Sequence, residues 1–152
     1  MGTYIHAHVE VYRDNAWHER TMRPHVFDYQ SYGLFGFLVD IRNFSCVPSL
    51  GKTRGVPDDS SIYYDADNEY LFSASFVSLK ELLDFDYGRQ FEDRRATGTV
   101  GPLHLNYGNS VEVGQGRQTT YREFLPPAYF EDLARLESLG NPEHTRIVFW
   151  FS

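Results

Sequence analysis

His6, His8 and Glu10 stand two residues apart in the segment YIHAHVEV. Successive side chains of an extended strand point to opposite faces, so this spacing sends all three the same way. Two imidazoles and a carboxylate on one face are the donor set of a zinc or other divalent metal site with an open position for water. A metal-dependent hydrolase is the activity such a face would support. The same residues also meet the simpler demand that the solvent face of a half-buried strand be polar. A further ligand would have to come from a distant residue such as His104 or Asp40. His18, His25 and His144 fall in or near turn signals and read as surface histidines.

A second group closes the segment YGLFGFLVDIRNF at 32–44. Leu34, Phe35, Phe37, Leu38 and Ile41 recur at helical spacing and make one broad apolar stripe, with Ser31 placed to cap its start. The stripe stops at Asp40, Arg42 and Asn43. Arginine near a helix C-terminus is favoured by the macrodipole, and asparagine tolerates the left-handed backbone of a helix end. The functional reading adds Arg54 from the following loop. Arg42, Asn43 and Arg54 would meet a phosphate or carboxylate, Asp40 belongs to the same set of candidate binding residues, and Tyr32 would stack on a base.

Other motifs fail on spacing. Gly51-Lys52-Thr53 resembles a phosphate loop, but Cys46 occupies the place of the required glycine and Pro48 intervenes. The glycines at 114 and 116 lack the third member of a dinucleotide fingerprint. Ser73 and Ser75 have no glycine-flanked elbow. Asp65, Asp67 and Glu69 alternate like calcium ligands, without the glycine and terminal glutamate of a calcium loop.

The chain has 152 residues, enough for one domain spanning 1–152 with its own core. Its net charge of −7 argues against direct nucleic-acid binding by general phosphate attraction. Arg94 and Arg95 are preceded by Glu92 and Asp93, which neutralise them locally. Cys46 is the only cysteine, so no intrachain disulfide forms, as expected for a reducing cytoplasmic compartment. No secretory signal opens the sequence, and no apolar run approaches the roughly 18 residues of a membrane span.

The positioning elements follow from periodicity. Thr3–Tyr12 alternates as a strand, with Ile5, Ala7, Val9 and Val11 on its buried face and the histidine face partly open. Asp14-Asn15 turns it into a hairpin partner at 17–22. Residues 45–61 form a long irregular segment, rich in proline, glycine and serine. Leu71–Val77 reads as a strand, and Ser78 with Glu81 as a capping box for a short helix. Residues 84–98 are charged and read as loop. Strands are expected at 99–107 and 110–113, joined around Gly108-Asn109. Thr120 with Glu123 caps another turn, Pro127 starts a helix whose apolar face is Tyr129, Phe130, Leu133, Leu136 and Leu139, and Gly140 ends it. TRIVFWFS at 145–152 is apolar on both faces, as a central strand must be. The class is α+β: one mainly antiparallel sheet with two or three helices packed on one face.

Several of these segments also carry a family resemblance. YIHAHVEV at 4–11, YGLFGFLVDIRN at 32–43, RGVPDDSS at 54–61, SASFVSLKELLDFDY at 73–87 and the final RIVFWFS resemble, in order, a family of small phage- and prophage-encoded proteins of uncharacterised chemistry. Family members often carry an acid where this chain has Tyr4. They also often carry histidines in the segment corresponding to 72–76, where this chain has none. The resemblance implies a phage-linked accessory protein acting in the host cytoplasm. Combined with the candidate cations, it favours a non-enzymatic binding protein that sequesters a small anionic or nucleotide-derived molecule. The alternatives are the metal-dependent hydrolase on His6, His8 and Glu10, and an adaptor or inhibitor of a host protein.

Overall fold

The alternation at the start of the chain becomes β1, Ile5–Arg13, which turns through Asp14 and Asn15 into β2, Ala16–Glu19. Both turn residues have positive φ, the backbone that a tight hairpin of matching twist requires. The computed structural model describes residues 2–152. The architecture is α+β with antiparallel sheets. Two compact units can be distinguished, each assembled from separated stretches of chain. One takes the residues up to Gln30, Thr53–Phe85 and Pro127–Ser152; the other takes Ser31–Lys52 and Asp86–Pro126.

The first unit is built on a four-stranded sheet in the order β2-β1-β8-β3, all neighbours antiparallel. β3 is Phe72–Ser78 and β8 is Thr145–Phe151. β8 lies between β1 and β3, and every one of its residues is buried, which is why its sequence is apolar on both faces. Val9, Val77, Ile147, Phe149 and Phe151 share one face of the sheet and are buried. The short helix α2, Leu79–Asp84, packs on β3 and β8 and against α4, Pro127–Glu137. Ser78 caps α2 by accepting from the Glu81 N–H, as its spacing predicts, and Pro127 is the first residue of α4.

The opposite face, expected to be partly open, is covered at Glu10 and over β8 and β3, while His6 stays exposed and His8 half-buried. Residues 45–71 contain neither helix nor strand. Within this unit, Val56, Ile62, Tyr64 and Leu71 pack over Val148, Trp150, Ala74 and Phe76. Glu10, expected on a solvent face, is fully buried here. Alternation assigns a residue to a face of the strand; it does not say whether a later loop will cover that face.

The second unit holds α1, Tyr32–Val39, capped by Ser31, whose hydroxyl accepts from the Leu34 N–H. The helix ends earlier than its apolar stripe. Asp40, rather than Asn43, takes the left-handed closing conformation, and Ile41 lies beyond the helix. Phe37 packs against Tyr87 and Tyr121. Gly33 lies against the Phe124 ring, where any Cβ would collide with it.

The charged stretch 84–98 is not loop. It contains β4, Gln90–Asp93, and most of β5, Arg95–Val100. Phe91 anchors β4 against Tyr121 and Phe124. The charges are partnered: the Glu92 carboxylate accepts from the N–H groups of Gly114 and Gly116, and Arg117 reaches Asp93. β4 pairs with β7, Arg117–Thr120, and β5 with β6, Leu103–Ser110. The β5–β6 turn therefore falls at Gly101-Pro102, with Gly101 at positive φ, and not at Gly108-Asn109, which lies inside β6. β7 runs into α3, Tyr121–Phe124, capped by Thr120. No helix among the described residues is long and apolar enough to cross a membrane.

Candidate functional site

The residues singled out from the sequence fall in two groups. Tyr32, Asp40, Arg42 and Asn43 belong to the second unit, and Arg54, His6, His8 and Glu10 to the first.

In the second unit the helix end is occupied by its own architecture. Asn43 donates to Asp40 Oδ1 at 2.8 Å and to the Val47 carbonyl at 2.8 Å, and its own carbonyl accepts from the Val47 N–H at 3.0 Å. Those bonds use both ends of the amide, so Asn43 is a structural clamp rather than a ligand contact. The Tyr32 ring lies beside Phe35 and Phe44, and the Arg95 guanidinium sits 5.5 Å from the centroids of Tyr32 and Phe44. Tyr32 is thus a platform for a protein cation. Arg42 is exposed with positive φ.

Arg54 is committed as well. Its Nη1 and Nη2 donate to the two Glu81 oxygens at 2.9 and 2.8 Å, and Nη1 also reaches the Phe76 carbonyl. Burial alone would raise the Glu81 pKa; the bonds and charge of Arg54, with the Ser78 cap, outweigh it and hold Glu81 below its ordinary value. The unfolded chain therefore binds this proton more readily than the native one. The pair contributes stability above the ordinary carboxylate range and loses it as pH falls through the lowered value. Glu81→Gln is expected to destabilise by no more than about 1 kcal/mol at neutral pH, since the pair is half-exposed and screened. Its deficit relative to the parent should shrink towards zero in urea titrations repeated at decreasing pH below 4.5, the ordinary Glu81 value. A deficit that grew on acidification would contradict the assignment.

The strand face is divided among separate tasks. Glu10 Oε1 accepts from Arg146 Nε at 2.9 Å and from the Ser60 hydroxyl at 3.2 Å; Oε2 accepts from the Ser61 N–H and hydroxyl, each at 2.6 Å. Arg146 also donates to Asp59 at 3.0 Å and lies 3.9 Å from the centroid of the Trp17 ring. This buried cluster fastens residues 59–61 onto the sheet and removes Glu10 from any metal site. His6 bonds the Ser152 hydroxyl at 2.7 Å; burial, then the charge of His8, lower its pKa. No group of three or more His, Cys, Asp and Glu side chains among the described residues is placed to hold a metal ion.

His8 points elsewhere. Its ring stacks on Trp150 at 4.9 Å, and its Nδ1 is 3.1 Å from Glu19 Oε2. This pair borders a pocket of about 220 Å³, which sequence reasoning missed. The pocket exists because β2 is short: it pairs with β1 only from Glu10 to Arg13, and after the Arg20 N–H bonds the Val9 carbonyl the chain leaves the strand. Residues 20–26 then arch beside the uncovered edge of β1. Arg20, Arg23 and His25 come from this arch, Ala7 and Val9 from the strand. The Arg23 guanidinium donates to His25 Nε2 at 2.6 Å. Neither Arg20 nor Arg23 makes an ion pair with a carboxylate among the described residues.

The wall of this pocket is held from behind by α4. Asp132 is buried; its Oδ2 accepts from the Phe27 N–H at 2.8 Å and its Oδ1 from Arg135 at 2.9 Å. Arg135 also donates to the Pro24 carbonyl. Phe27 takes a left-handed backbone while its ring is wholly buried against Tyr129, so the wall is fixed at both ends of residues 24–27. The only trace of this site in the sequence is Arg20, Arg23 and His25 at short spacing after a strand, a pattern that a solvated turn also shows.

No family model matches the chain, and no curated protein or solved structure matches it either.

Proposed function

We propose that the protein binds a small anion-bearing molecule in the pocket beside the edge of β1, with Arg20 and Arg23 meeting its charged group. One observation carries the reading: two arginines without carboxylate partners among the described residues, together with a histidine, border one concavity in a chain whose net charge is −7. Arg54, by contrast, has its own carboxylate. Guanidinium groups pair best with phosphates and carboxylates, and two of them at the border of one concavity can share the charge of a single anion.

The pocket is smaller than a typical drug-sized site, so it suits a compact phosphate or carboxylate, or the phosphate end of a nucleotide-derived molecule. Glu19 also borders the pocket, and its bond to His8 turns the carboxylate towards the imidazole. It opposes an anion and limits how much negative charge the site accepts. Together with the resemblance to phage-encoded proteins, this supports a sequestering role without catalysis. The metal-hydrolase alternative has lost Glu10 from its ligand set.

Calorimetry and thermal shift against inorganic phosphate, pyrophosphate, a dicarboxylate and nucleoside phosphates test the proposal. At least one should bind saturably. Arg20→Ala and Arg23→Ala should each weaken that binding about tenfold, the equivalent of about 1.4 kcal/mol, and Glu19→Gln should tighten it. Absence of binding by all of these anions at millimolar concentration, or binding unchanged in both arginine variants, would overturn it.

A further inference from the structure

The β5–β6 hairpin carries an apolar face that is largely exposed, with Leu105 half-buried at its middle. Register places Val100 opposite Leu103 and Gly98 opposite Leu105, with Tyr107 next along β6 on the same side. Val100 and Leu103 are 61% and 62% exposed, and Tyr107 is 43% exposed. Tyr107 folds across Gly98, where a Cβ would collide with its hydroxyl, so the absent side chain there widens the apolar face. Thr97, Thr99, His104 and Asn106 form the other, polar face. A two-stranded ribbon is marginally stable in water unless something covers its apolar side.

The root of this ribbon is firmly fixed within its unit. Arg95 Nε donates to the Tyr107 carbonyl, Arg94 bonds the Ser45 and Val111 carbonyls, and the Ser110 hydroxyl bonds the Phe44 carbonyl. The exposed face is therefore presented on a defined platform.

Its charge content indicates the occupant. Ala96 to Val111 contains no Asp, Glu, Lys or Arg, in a chain where 23% of residues are charged. Two copies, each of net charge −7, repel one another over most of their surfaces. An uncharged apolar face is where that repulsion is least and apolar burial is gained. A face placed against its own copy about a two-fold axis must also tolerate meeting itself, which a charged face does not.

We infer that the protein self-associates into a two-fold dimer through the apolar face of the β5–β6 hairpin, Val100, Leu103, Leu105 and Tyr107 of one copy meeting the same residues of the other. So small a contact implies weak association, with a dissociation constant on the order of 10–100 µM. Raising the salt concentration should tighten it by screening the repulsion between the acidic copies.

Sedimentation of the full chain over a concentration series, with two charge variants, tests this. Leu103→Glu puts a charge on the apolar face and should raise the dissociation constant at least about tenfold. Thr99→Glu puts the same charge on the polar face of the same hairpin and should leave it within about twofold. Both positions are exposed, so circular dichroism should be unchanged in either variant. A parent protein that stays monomeric up to about 500 µM would overturn the inference, since association in the stated range would put roughly three quarters or more of the chains in dimers there. A dimer that both variants weaken equally, or that neither weakens, would also overturn it.

Discussion

Glu10→Ala is expected to destabilise the protein by about 3–5 kcal/mol, the usual cost of leaving one member of a buried ion pair without its partner. The magnitude follows from what the carboxylate supports. Four donors converge on it, and Arg146, itself only 6% exposed, would keep its charge with Asp59 alone. Residues 60 and 61 would lose their attachment to the sheet. Urea unfolding should show the midpoint fall with little change in slope. Replacing both members together, as Glu10→Leu with Arg146→Met, should cost far less than the sum of the single changes, because no uncompensated charge remains buried. A loss below about 1 kcal/mol in Glu10→Ala would mean that the cluster is solvated and the face open after all.

Asn43→Ala should cost about 2–4 kcal/mol, from orphaning both the N–H and the carbonyl of Val47, which is buried. The sharper test is Asn43→Asp. It preserves shape and the acceptor for the Val47 N–H, yet replaces the donor with an oxygen facing the Val47 carbonyl and Asp40 Oδ1. It should therefore be nearly as damaging as alanine at neutral pH. Binding to the pocket beside β1 should survive in whatever fraction of either variant is folded. If Asn43→Asp proved neutral in urea unfolding, the amide would not be acting as the clamp described.

Local signals in the sequence translate well into local structure. Ser31, Ser78 and Thr120 each cap the helix that follows, Pro127 opens α4, and Gly140 follows it with positive φ. β8 could be read as a central strand because both its faces are apolar. What failed depended on partners distant in sequence. β4 pairs with β7 across more than twenty intervening residues, and its charged side chains look like loop until Gly114, Gly116 and Arg117 are beside them. The β5–β6 turn reads from sequence at Gly108-Asn109 because that pair is a strong local turn signal; the pairing of Val100 with Leu103 puts it at Gly101-Pro102 instead.

The candidate site divides in the same manner. Residue type marked Arg54 and Asn43 as able to bind an anion or amide, but Glu81 and Val47 already fill those roles. Spacing put His6, His8 and Glu10 on one face, yet Ser152, Glu19 and Arg146 draw them to three different partners. The pocket depends on β2 stopping at Glu19 and on α4 holding residues 24–27, and neither leaves a periodic mark in the sequence.

The pairing of β1 with β8 joins Ile5 to Phe151. On a ribosome adding about 5–20 residues per second, the first strand is made roughly seven to thirty seconds before its central neighbour. β2 can zip onto one edge within microseconds, but the other edge, with Val9 and its apolar companions, has to wait. Throughout that interval the nascent chain offers an unsatisfied strand to any holdase or to a neighbouring polysome product. The yield of this protein in a cell should thus respond to chaperone supply and translation speed as well as to the stability of its finished state.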